Sequence, residues 1–146
     1  MQSTIDELTS LIAQSSVTLA DISESDSAGK SSPEKWSKKE VLGHLIDSAA
    51  NNHQRFVRGQ LTGELRIAGY EQQEWVAKQR YQNEPWAELI QLWKSYNLHL
   101  VHILSVMPET ARGNLCIIGD NKPVTLEFVI QDYVRHLKHH LEQIVE

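Results

Sequence analysis

Three of the chain's seven histidines, His136, His139 and His140, fall within five residues near its C-terminal end. The apolar residues around them, Leu126, Ile130, Tyr133, Leu137, Leu141 and Ile144, recur at steps of three or four, the period of a helix. On that helix His136 and His140 stand one turn apart on one face, while His139 points about 60° to the other side of His136. Two imidazoles at i and i+4 can share one metal ion, although two ligands rarely suffice for tight binding. With Val129 and Tyr133 they form a column along the edge of the apolar stripe, the kind of seam at which helical bundles build metal sites. His139 and Lys138 point elsewhere and read as surface residues.

A third ligand has to come from another part of the chain. His53, nine positions after His44 and among polar neighbours, reads as a solvated surface residue. His99 and His102 flank the apolar stripe of another helix, where half-buried histidines are common, and a packing or surface role fits them better than ligation. His44 lies on a polar strip with Ser48, Asn51 and Arg55, and Asp47 close by, directly beside an apolar face. Polar groups buried there without partners would cost about 1–3 kcal/mol each. A metal site with supporting polar groups would satisfy them, and so would plain exposure; spacing alone leaves both readings open.

The elements that must position these residues are helices. Thr4 and Glu7 have capping-box spacing, and Ile5, Leu8, Leu11, Ile12 and Leu19 continue an apolar stripe to about Ile22. A loop is expected over 23–33. Ser37 and Glu40 form a second capping box, with Trp36 and Val41 at the spacing of a hydrophobic staple, and this helix should run to about Arg58. Residues 61–82 are ambiguous, with a short helix expected within Tyr70–Arg80. Pro85 fits the first turn of a third long helix capped by Asn83 or Glu84 and stopped by Pro108. Residues 112–124 are also ambiguous: Leu115–Ile118 reads as either a short strand or an apolar plug. Thr125 caps the last helix, which reaches almost to Glu146. Four long amphipathic patterns with almost no strand signal predict an all-α four-helix bundle, in one domain spanning 1–146. The connections after the second and third of them are long for a simple up-down bundle.

Hydrophobic residues make up 40% of the chain and charged residues 23%, as in ordinary globular domains. A net charge of −5 without a basic, aromatic-interleaved run argues against nucleic acid as a partner. No apolar run is long enough to span a membrane. The single cysteine, Cys116, excludes an intrachain disulfide and fits a reducing compartment. With no signal-peptide pattern at the N-terminus, the expected location is the cytoplasm.

The stretch Trp36-Ser37-Lys38-Lys39-Glu40-Val41-Leu42-Gly43-His44-Leu45-Ile46-Asp47-Ser48 resembles the second-helix signature of the DinB/YfiT-like family of metal-dependent enzymes. Thr125-Leu126-Glu127-Phe128, Asp132-Tyr133 and His136 through Ile144 resemble its closing helix, and Gly69-Tyr70 through Trp75-Val76 its middle region. The matching motifs span about a third of the chain, in order.

The resemblance implies a DinB-like bundle in up-down-down-up order, which would account for the two long connections. It implies a divalent metal, zinc or nickel, held by His44, His136 and His140. It further implies a small-molecule substrate, with a low-molecular-weight thiol of the bacillithiol or mycothiol type as cosubstrate, and a homodimer. Three imidazoles leave a coordination position open, where an ion can acidify water or hold a thiol as thiolate. Asp47, Asn51, Arg55, Tyr70 and Tyr133 are candidate supporting or substrate residues, with Arg55 placed to fix a carboxylate or the acidic end of a thiol cofactor. Cys116 has no neighbour in sequence that would activate it. The leading expectation is a thiol S-transferase. The alternatives are a metal-dependent hydrolase and a non-catalytic helical dimer, binding metal or a small ligand in a stress response.

Overall fold

The computed structural model describes residues 1–146 and contains six helices and one small sheet. Helix α1, Gln2–Ala20, buries Ile5, Leu8, Ile12 and Leu19 at helical spacing. Its expected capping box at Thr4 does not form. The helix begins three residues earlier, with Met1 at the cap position, its carbonyl taking the Thr4 and Ile5 N–H groups and its amine 3.5 Å from Glu127. The stretch expected to be only a loop holds a short helix α2, Glu24–Ala28, capped by the Ser23 hydroxyl.

Helix α3, Lys38–Arg58, starts at the expected capping box: Ser37 Oγ accepts the Glu40 N–H and Glu40 accepts the Ser37 N–H. Strand β1, Glu64–Ile67, and helix α4, Gln72–Gln79, follow, then a 3-10 turn at Tyr81–Asn83. Helix α5 spans Trp86–Ser105. Pro85 occupies its cap position, and neither Asn83 nor Glu84 caps it. Instead the Glu24 carboxylate reaches across to accept the Trp86 N–H at 2.8 Å. Leu115–Ile118 resolves as strand β2, followed by β3, Val124–Thr125, and helix α6, Leu126–Val145, with Thr125 as its cap.

The sheet has the order β1-β2-β3, with β1 parallel to β2 and β2 antiparallel to β3. It therefore gathers the end of α3, the end of α5 and the start of α6 at one end of the bundle. The Asn114 side chain ties the α3 terminus to this junction through the Gly59 carbonyl at 2.9 Å. At the other end, the Trp86 indole donates to the Leu19 carbonyl and Lys38 to the Ile144 carbonyl. So α1 and α6 run one way and α3 and α5 the other, the up-down-down-up order. The core fills the middle with Trp93, Phe56, Leu42, Leu45, Leu100, Leu126, Ile130 and Leu137. No helix is long and apolar enough to cross a membrane.

Candidate metal centre and the cleft beside it

The capping box fixes where α3 begins, and six residues later the helix presents His44 toward α6. Because α3 and α6 are antiparallel, His44 meets His136 and His140 from the opposite helix. His44 is 1% exposed, and the other two are half-buried. The His44 and His136 Nε2 atoms lie 3.1 Å apart, and one ligating nitrogen from each of the three rings lies within 4.8 Å of the others. Ideal tetrahedral Zn–N bonds of about 2.1 Å would separate the nitrogens by about 3.4 Å. The rings are already close to that arrangement.

The chemistry of the donors fits a cation as well. Burial, reinforced by repulsion from the other imidazoles, lowers the pKa of both His44 and His136 to about 4. Both are therefore neutral at pH 7, with lone pairs free to ligate. His140 Nδ1 is held by Gln143 Oε1 at 2.8 Å, leaving Nε2 for the cluster. Trp36 covers His44, its ring centroid 5.2 Å away. His44 Nδ1 is buried without a partner.

Along the α3–α6 seam, from His136 toward the sheet, runs a cleft of about 520 Å³. Ser48, Asn52 and Arg55 form its α3 wall, and Phe128, Val129, Asp132, Tyr133 and His136 its α6 wall. Gly69, Tyr70 and Gln72 close one side, and Ile118 and the loop residues Asn121 and Lys122 the other.

The model of the DinB superfamily matches residues 4–144. The chain belongs to the DinB superfamily. Among solved structures, YfiT from Bacillus subtilis, a probable metal-dependent hydrolase with an unusual four-helix bundle topology, superposes with a TM-score of 0.84. It is 18% identical, and the match covers 98% of this chain and 82% of YfiT. The mycothiol-dependent maleylpyruvate isomerase superposes with a TM-score of 0.81 at 12% identity. This chain spans only 60% of that longer protein. At these identities the likeness establishes the DinB-like bundle. No curated protein matches the chain by sequence.

Within this DinB-like frame the remaining candidates separate. Arg55, Tyr70 and Tyr133 line the cleft, although the Tyr133 hydroxyl is engaged by Asn97 at 2.5 Å. Asp47 lies outside it: Oδ1 accepts from Tyr81 and from Gln79, each at 2.7 Å, while Oδ2 is buried without a partner. Burial pushes the Asp47 carboxyl upward, and the two donors partly offset this. Asn51 does not line the cleft; its amide returns to the Asp47 carbonyl. Asn52, a turn beyond Ser48, does so instead, a position that steps of four from His44 would have indicated. Lys122 had no such signal, since it comes from a loop.

The other histidines gather elsewhere. His53 is half-buried rather than fully solvated, 2.9 Å from the Tyr96 hydroxyl and packed against His99, while His99, His102 and His139 are exposed. Cys116 is fully buried on β2, and burial raises its thiol pKa, which argues against a nucleophilic role.

Proposed function

We propose that His44, His136 and His140 hold one divalent ion, zinc or nickel, and that the protein is a metal-dependent enzyme acting on a small molecule in the adjoining cleft. The observation that carries this reading is the convergence of three imidazoles on one point, His44 and His136 among them kept neutral by burial, with His136 also lining the adjoining cleft. A bound ion would supply Lewis acidity, lowering the pKa of water or of a thiol placed against it. The chain's own residues would do the rest. Trp36 and the packed helices shield the cluster from solvent, Gln143 fixes the tautomer of His140, and the cleft orients the substrate.

Transfer to or from a low-molecular-weight thiol is the favoured reaction. The cleft contains no cysteine, and its only carboxylate, Asp132, is paired with Arg135. A nucleophile carried in by a cosubstrate suits such a wall. Hydrolysis is the second reading, with Asp132, freed from Arg135, as the base.

Elemental analysis of purified protein should find about one zinc or nickel per chain, and His140→Ala should lose it. A wild type that takes up neither ion from micromolar solution would end the enzymatic reading. With metal present, consumption of an electrophile only when bacillithiol or mycothiol is added supports transfer. Ester or amide cleavage without any thiol supports hydrolysis instead.

A further inference from the structure

The cleft beside the histidine cluster places two cations on its walls, one of them half-buried. The chain as a whole is acidic, at −5, yet Arg55 and Lys122 both face this cleft and neither takes part in an ion pair. Arg55 is half-buried, and the only hydrogen bond of its side chain is a long one, 3.4 Å, to Asn52 Oδ1. A guanidinium offers five N–H donors, and holding it partly out of water with one long bond to a neutral acceptor is costly. The one acidic group on the walls, Asp132, forms its ion pair with Arg135 and reaches Arg55 only as a weaker, through-space attraction. Tyr70 adds a hydroxyl to the same wall, while Val124, Phe128 and Val129 supply apolar surface within the cleft.

The placement along the helices gives the pattern a direction. Arg55 follows His44 by eleven residues on α3, a rise of about 16 Å. The Arg55 side chain leans back toward the helix N-terminus, as its hydrogen bond to Asn52 shows, and so stays on the face that carries His44. One end of the cleft therefore reaches the histidine cluster through His136, and Arg55, which has no ion-pair partner, lies further along it.

The geometry points to an organic anion as the substrate class: a small molecule with an apolar body and a carboxylate or phosphate, the oxyanion seated on Arg55 and Lys122. This rests on reading the cleft as the substrate pocket of the proposed metal enzyme. Arg55 is the specificity-determining residue, holding the oxyanion through paired N–H donors, and Lys122 contributes at the mouth.

The test uses hexanoate, hexyl phosphate and 1-hexanol, which share an apolar body and differ in the head group. Each is titrated into the full chain, metal-free and zinc-loaded, and followed by backbone amide NMR. The two anions should shift the Arg55, Tyr70 and Lys122 amides, and hexanol at equal concentration should not. The anion with the tighter binding identifies the head group. Arg55→Gln should weaken anion binding about tenfold or more, and Lys122→Gln about two- to threefold. Arg55→Lys, which keeps the charge and guards against a folding defect, should give an intermediate loss.

Equal binding of hexanol and hexanoate, or an unchanged affinity in Arg55→Gln, would overturn the proposal. Anion binding that vanishes on zinc removal and ignores Arg55 would also overturn it, placing the anion on the ion. If the wild type takes up no zinc but binds hexanoate through Arg55, the anion site stands and the metal reading falls.

Discussion

His44 sits buried under Trp36 with one nitrogen aimed at His136 and the other unpartnered, a costly position for a neutral imidazole with nothing to bind. A cation in the cluster would engage the nitrogen that faces His136, and the depressed pKa values of His44 and His136 predict how protons would compete with it. Their ordinary value is 6.5 and their value in the folded chain is about 4, so neither binds a proton until the pH is well below 6. Zinc affinity measured by calorimetry at stepped pH should therefore begin to fall as pH approaches 4 and drop most steeply below it, where protons must be displaced from both rings. Release of two protons on zinc binding at pH 6.5 would contradict it. The spacing of His136 and His140 could be read from sequence because both ligands lie on one helix. The place of His44 could not, because whether it is exposed or joins the pair depends on how α3 and α6 pack. Asn97, fully buried against Tyr133, was invisible for the same reason: nothing within α5 marks it as a partner.

Helix α3 holds the site through contacts at both its start and its middle. The capping box sets its register, and Gly43, the residue before His44, lets the Tyr81 ring lie flat on the helix while its hydroxyl reaches Asp47. A Cβ at position 43 would lie 2.1 Å from that ring. Gly43→Ala should therefore destabilise the fold by about 1–3 kcal/mol despite the higher helix propensity of alanine. The expected readout is a lower urea midpoint together with loss of the Tyr81–Asp47 contact. An unchanged midpoint would mean that Tyr81 does not pack on α3. At the start of the same helix, Ser37→Ala removes a cap and should cost about 1 kcal/mol in the same assay.

The four long helices were legible because each carries an apolar stripe over at least four turns, and Ser37 and Thr125 announce the caps of two of them. The sheet was not. Its strands are two to four residues long, and Leu115–Ile118 has an apolar run that suits several structures until β1 is found beside it. The misplaced first cap has a similar origin: Met1, with an amine that pairs with Glu127, starts α1 before Thr4 can.

At the scale of the whole molecule, the three histidines join α3 to α6, the two helices whose opposed directions follow from the up-down-down-up order. An ion bound there cross-links elements that are 92 residues apart in sequence, as counted from His44 to His136. Its effect on stability should follow mass action, about 2.7 kcal/mol when free metal exceeds its Kd a hundredfold. For a chain of this size each kcal/mol moves Tm by about 2–4 °C or somewhat more, so zinc should raise Tm at pH 7.5 by roughly 5–10 °C over an EDTA-treated sample.

The metal-free protein has its own pH dependence. His44 and His136 have folded pKa values below their unfolded ones, so the unfolded chain takes up protons that the folded chain refuses. The stability they contribute is complete above pH 6.5 and is lost as pH falls toward 4. Zinc-loaded and metal-free samples should therefore both soften on acidification, with the gap between them closing near pH 4 as the ion leaves. His44→Ala should remove the zinc-dependent rise and reduce the acid sensitivity of the metal-free protein, because one of the two depressed imidazoles is gone. A zinc effect of equal size in His44→Ala would place the stabilising ion away from the α3–α6 seam.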